Sequence, residues 1–128
     1  MTVVVPVQYG PNSIELEVLT GATGWHIIAT DGTGYTTPAL MLAAGKKPFP
    51  SLPLGSIVAS LETKGIAAGG GAPGSPYYIS INPAGGTPTI GKEVGGNDQA
   101  FVFGPGQINT LWINLTVGSD TPELYLTY

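Results

Sequence analysis

Apolar and polar residues alternate with a period of two along several short stretches of the chain. The clearest is Ile14-Glu15-Leu16-Glu17-Val18. A pleated strand sends successive side chains to opposite faces, so Ile14, Leu16 and Val18 point to a core while both glutamates point to water. This pattern predicts a half-buried antiparallel strand. The same alternation places Ile57, Ala59 and Leu61 on one face of residues 56–63, and Tyr77, Ile79 and Ile81 on one face of residues 77–82. The longest run covers residues 108–117, where Leu111, Ile113, Leu115 and Val117 alternate with Thr110, Trp112, Asn114 and Thr116. Its apolar face is expected at the centre of the core.

Residues 3–8, 25–30, 99–103 and 123–127 are rich in β-branched or aromatic side chains, which suit a pleated surface, and bring the expectation to about eight strands. Between the runs stand Gly10-Pro11-Asn12, Asp31-Gly32-Thr33-Gly34, Asn82-Pro83-Ala84-Gly85-Gly86, Gly95-Gly96-Asn97-Asp98, Gly104-Pro105-Gly106 and Gly118-Ser119-Asp120. Glycine supplies positive φ and proline fixes its own φ, so these clusters read as turns. Short strands at such spacing predict an all-β fold, an antiparallel β-sandwich of jelly-roll-like type. One segment breaks the pattern. Residues 37–47 open with Thr37 as an N-cap type residue and Pro38 at the first helical position, and carry Gly45 near the end, which predicts one short helix of about two turns. The proline-rich stretch after it, residues 48–54, must be extended and is expected to cross one end of the sandwich. Residues 65–76, with Gly69-Gly70-Gly71, read as a loop tip.

Length turns this pattern into an architecture. The chain has 128 residues, enough for one domain spanning 1–128 to bury a core without disulfides or metal. It has no cysteine, so disulfide frameworks, thiolate metal sites and cysteine nucleophiles are excluded. Four lysines, no arginine and eight acids give a net charge of −4, a balance that argues against nucleic-acid binding. No apolar stretch reaches the roughly 18 residues that cross a bilayer, and the N-terminus lacks the basic region of a leader, so no membrane association is expected, and the chain reads as an unprocessed soluble protein or one whose leader has been removed. The charged fraction is only 9%, against about 25% in ordinary soluble domains, and mean hydropathy is +0.23. Interspersed charges normally keep small domains dispersed. Such a surface is either covered by partners or made polar by Thr, Ser, Asn and Gln.

The residues that carry chemistry are few. His26 is the sole histidine, flanked by Trp25 and Ile27 in an expected strand, with no nucleophile elbow to pair with; it reads as a structural or surface histidine. Asp31-Gly32-Thr33-Gly34 lacks the third glycine and the parallel βαβ setting of a dinucleotide loop, so a hairpin turn is the better reading. The glycine cluster near Gly70 and the Gly91-Lys92-Glu93 segment both lack the Gly-Lys-Ser/Thr ending of a phosphate loop. Gly95-Gly96-Asn97-Asp98 occurs once, whereas calcium wants about six to eight oxygen ligands. Glu15 and Glu17 share one strand face and read as solvated rather than as an acid pair across a cleft, and Asn114-Leu115-Thr116 matches a glycosylation sequon by chance. No enzyme activity and no cofactor are expected.

What remains is binding. The aromatic residues Trp25, Tyr35, Tyr77, Tyr78, Trp112, Tyr125 and Tyr128 divide between core and surface. Tyr77 and Tyr78 must point to opposite faces, and Trp112 lies opposite the Leu111/Ile113/Leu115 face, so Tyr78 and Trp112 are candidate contact residues. Val3 and Val5 lie in a terminal strand that either pairs with a neighbouring chain as an added edge strand or forms the first strand of the domain's own sheet.

In its charge-poor, Thr- and Gly-rich β composition and its lack of cysteine, the chain resembles the small capsid decoration, or cement, proteins of tailed bacteriophages. The resemblance lies in strand pattern and composition, not in a diagnostic motif. It implies a jelly roll or related β-fold that clamps an assembled shell as a homotrimer. Its partners would be the major capsid protein or other virion subunits, and its location the virion, after synthesis in the host cytoplasm. Such a protein stabilises the shell by mass action, because it binds the closed shell and not its loose parts. A carbohydrate-binding or adhesive module of a fibre or larger assembly, using exposed aromatics, is the alternative.

Overall fold

The computed structural model describes residues 12–52, 60–63, 76–81, 86–94, 99–101 and 110–128. Among them are nine strands, β1 (Ser13–Glu17), β2 (Gly24–Ile28), β3 (Gly34–Tyr35), β4 (Ser60–Thr63), β5 (Tyr77–Ile81), β6 (Lys92–Val94), β7 (Gln99–Phe101), β8 (Leu111–Leu115) and β9 (Glu123–Thr127), and one helix, α1 (Pro38–Ala43). The expected strand at 3–8 with Val3 and Val5, the expected strand residues 56–59, 102–103 and 108–109, and the glycine-rich loop at 65–75 lie outside the described residues.

The strands form two antiparallel sheets, one in the order β1-β9-β4-β7 and the other in the order β3-β2-β8-β5-β6. Setting aside the two-residue β3, the pairs are nested: first with last (β1·β9), second with next to last (β2·β8), then β4·β7 and β5·β6. This nesting is the wrapping order of a jelly roll, an eight-stranded sandwich of two Greek keys. The two sheets face each other across one core. Leu16, Leu61, Leu124 and Leu126 of the four-stranded sheet pack with Ile28, Tyr77, Ile79, Val94, Leu111, Ile113 and Leu115 of the five-stranded sheet. Alternation within the strands is as the sequence predicts: Leu16 and Val18 are buried between exposed Glu15, Glu17 and Leu19, and Leu111, Ile113 and Leu115 all lie in the core. The central strand stops at Leu115, however, and Val117 is half-buried in the following turn, where its carbonyl accepts a 3.1 Å bond from the Asp120 N–H.

Two strands were not legible from alternation. β3 is the short return of a hairpin whose turn is Asp31-Gly32-Thr33, and β6 buries a single residue, Val94. Runs of two or three residues are too short for a period of two to show. The hairpin turn requires glycine. Gly32 has φ +91°, and its missing side chain leaves room for the Glu17 carbonyl. The Lys46 ammonium lies 2.9 Å from the Asp31 carboxylate. That contact, with the Thr33 N–H donating to the same carboxyl, holds the Asp31 pKa below its ordinary value.

α1 has the predicted boundaries in chemical terms, although it is shorter than residues 37–47. Thr37 Oγ1 accepts from the Leu40 N–H at 3.2 Å and Pro38 opens the first turn. At the other end the Gly45 N–H bonds the Leu42 carbonyl and the Lys46 N–H bonds the Met41 carbonyl, with Gly45 at φ +75°. This is the Schellman arrangement that ends a helix on glycine. α1 lies on the outer face of the five-stranded sheet, where Met41 forms a second apolar cluster with Ile27, Ala29 and Trp112, flanked by Trp25 and Tyr35. The connector after α1 does more than cross an end of the sandwich. Its Phe49 N–H bonds the Ile28 carbonyl at 2.9 Å, and the Phe49 ring is buried in the main core.

The expectation of an outward, accessible Trp112 needs correction. Trp112 does face away from Leu111, Ile113 and Leu115, but only 2% of it is exposed because α1 covers it. Alternation tells which face of a sheet a residue occupies; it does not tell whether another layer lies over that face.

Candidate functional site

The outer face of the five-stranded sheet is only partly covered by α1, and the remainder carries a row of side chains set by strand register. Trp25 on β2 and Tyr78 on β5 are both direct partners of Asn114 on β8, and Tyr78 is also the partner of Glu93 on β6. Directly opposed residues project to the same side of a sheet. With strands about 4.8 Å apart, Trp25 and Tyr78 rise roughly 10 Å from each other with the Asn114 amide between them.

These three residues, with Thr89, Ile90 and Gly91 of the segment leading into β6, line an open pocket of about 300 Å³. Trp25 and Tyr78 are half-buried, and Ile90 is 83% exposed at the rim. The absence of a side chain at Gly91 shapes this pocket. A Cβ there would run into the far edge of the Trp25 ring and come within 2.8 Å of the Ile79 carbonyl oxygen. The edge of the indole therefore lies against the Gly91 backbone, and Trp25 forms part of the pocket wall.

Among the described residues the six that line it include no carboxylate, histidine, lysine or arginine. They offer two aromatic surfaces, one amide that both donates and accepts, two hydroxyls (Tyr78 and Thr89) and one aliphatic rim. Such a set can bind a neutral molecule with polar and apolar faces.

The opposite outer face, on the four-stranded sheet, is different in character. Glu15 and Glu62 are the direct partners of Tyr125 on its two sides, Glu17 is the direct partner of Glu123, and all four glutamates are exposed. The Tyr125 hydroxyl donates to the Glu123 carboxylate at 2.7 Å, and this bond, then burial and the neighbouring Glu15, push the phenol far above its ordinary pKa.

Of the residues singled out from sequence, Tyr78 is in the pocket, Trp112 is buried beneath α1, and Val3 and Val5 fall outside the described residues. His26 turns inward, 5% exposed, and its Nδ1 donates to the Gly24 carbonyl at 3.0 Å. Among the described residues no group of three or more His, Asp or Glu side chains could hold a metal ion, and no helix is long and apolar enough to cross a membrane. In the sequence Trp25 is one of seven candidate aromatics and Asn114 part of a chance sequon. Their shared outward phase was readable, but their adjacency is a matter of strand pairing.

The fold and its surface define a jelly-roll domain with a neutral aromatic pocket on one sheet and an acidic face on the other. Compared with models of known protein families, with curated proteins and with solved structures, the chain matches none.

Proposed function

We propose that this chain is a structural protein of a larger particle, a decoration or cement protein that docks on an assembled virion shell through protein–protein contacts. The observation that carries the reading is where its exposed apolar side chains gather. Among the described residues four large apolar side chains are exposed: Leu19, Leu40, Leu42 and Ile90. Three of them belong to the β3 edge of the five-stranded sheet. Leu40 and Leu42 are on α1, which packs beside β3, and Leu19 bridges Thr33 just before β3.

Exposed leucines of 54 to 62% on a charge-poor domain lose little by desolvation when covered. The glutamates of the other sheet suit a face that stays in water. Shell subunits are the partner that the resemblance to phage cement proteins implies, with a homotrimer as the docked form.

The test is quantitative mass spectrometry of density-gradient-purified particles from the source culture. The chain should band with the particles at a fixed ratio to the shell subunit. A Leu40→Glu/Leu42→Glu double variant with unchanged circular dichroism and melting should stay in the soluble fraction. A wild-type chain that never bands with particles, or a double variant that bands as well as wild type, overturns the proposal.

A further inference from the structure

We infer that the Trp25/Tyr78/Asn114 pocket is a binding site for a neutral sugar ring. The inference does not depend on the docking reading, because the pocket lies toward the β6 side of the sheet and the three leucines belong to its β3 edge.

Charge narrows the ligand first. Among the described residues no ionisable group other than the Tyr78 phenol lines the pocket, so a phosphate, carboxylate or ammonium ligand would find no counter-charge among them. Polarity narrows it further. A purely apolar ligand would leave the Asn114 amide and the Thr89 hydroxyl without partners once water was expelled, a cost that disfavours it. A pyranose meets both conditions. Its axial C–H groups form a weakly apolar, slightly positive face that suits the electron-rich face of an indole or phenol. Its equatorial hydroxyls both donate and accept, as do an amide and a hydroxyl.

Geometry agrees with this chemistry. The pocket volume of about 300 Å³ is at the small end of the range for small-molecule sites, roughly 300–1,000 Å³, and the site is open at the surface. An open mouth suits one ring of a longer glycan better than a ligand that must be enclosed. The wall is also preformed: Trp25 packs against the Met41/Trp112 cluster and its ring edge lies against Gly91, so the ring is held in place before a ligand arrives. A fixed aromatic wall avoids ordering costs on binding.

The chain has two tryptophans, and Trp112 is buried beneath α1, so ligand-dependent fluorescence reports Trp25. The purified full chain is titrated with glucose, galactose, mannose and N-acetylglucosamine and with their neutral β- and α-linked oligomers. Glucose 6-phosphate, galacturonate and cyclohexanol are the charged and apolar controls.

At least one neutral sugar should give a saturable change, with the oligomer at least as tight as its monomer, while the three controls do not saturate. Asn114→Ala and Tyr78→Ala should each weaken binding by about tenfold without changing the melting temperature, the size of effect expected when one hydrogen bond or one stacking wall is removed. If either variant fails to fold, Thr89→Val tests the polar side alone. The inference is overturned if no neutral sugar saturates, if a control binds better than every sugar, or if sugar binding persists unchanged in the variants. None of these results bears on particle docking, which is read from the Leu40 and Leu42 variants.

Discussion

Glu17 and Glu123 face each other directly across the β1–β9 ladder, both exposed on the outer face of the four-stranded sheet. Like charges in direct cross-strand register repel, by about 0.2–1 kcal/mol. Glu17→Lys should therefore raise stability by about 0.5–1 kcal/mol in low salt, and the gain should shrink in 1 M salt, where the screening length falls to about 3 Å. Denaturant melts of both proteins at two salt concentrations check this. A loss of stability in low salt would count against the repulsion.

The same face makes a spectroscopic prediction. Tyr125 donates to the Glu123 carboxylate, which favours the neutral phenol and raises its pKa. A raised folded-state value means that the stabilisation is complete below the ordinary tyrosine value of about 10 and is lost only as pH climbs through the higher folded value. The Tyr125 phenol should therefore ionise at higher pH than an ordinary tyrosine, so the difference in tyrosinate absorbance between wild type and Tyr125→Phe should develop above about pH 10. A difference already complete at pH 10 refutes it.

Gly91→Ala should damage both fold and pocket. The new methyl group meets the Ile79 carbonyl oxygen at 2.8 Å and the Trp25 ring, and the carbonyl cannot turn aside as a side chain would. Overpacking of this kind costs about 1–3 kcal/mol. The displaced indole should also change its emission. An unchanged melt together with an unchanged spectrum would show that the ring does not lie against Gly91.

Asp120, in the turn between β8 and β9, is 2% exposed, and among the described residues neither carboxylate oxygen has a hydrogen-bond partner. Burying a polar group without a partner costs about 1–3 kcal/mol, and more for a charge. Asp120→Asn keeps the shape and removes the charge, so it should stabilise the domain by about 1 kcal/mol or more. Calorimetry at pH 7 reads the difference; a less stable variant would mean that the carboxylate is compensated.

The sequence by itself determined which residues of each longer strand point inward, because a period of two is a property of the local backbone. Leu16 and Val18, Tyr77 and Ile79, and Leu111, Ile113 and Leu115 are all buried as their alternation requires. It also determined the ends of α1, since Thr37, Pro38 and Gly45 act on groups within one turn of themselves. Only the tertiary structure decided what covers each outward face. Trp112 and Trp25 have the same outward phase, yet α1 covers the first and leaves the second at a pocket, because a helix can lie over only part of a sheet. Trp25, Tyr78 and Asn114 come from three strands far apart in the chain, and the pairing of β8 with β2 on one side and β5 on the other brings them into one row. That pairing is selected by burial of both inner faces at once, a property of the whole sandwich that no single segment encodes.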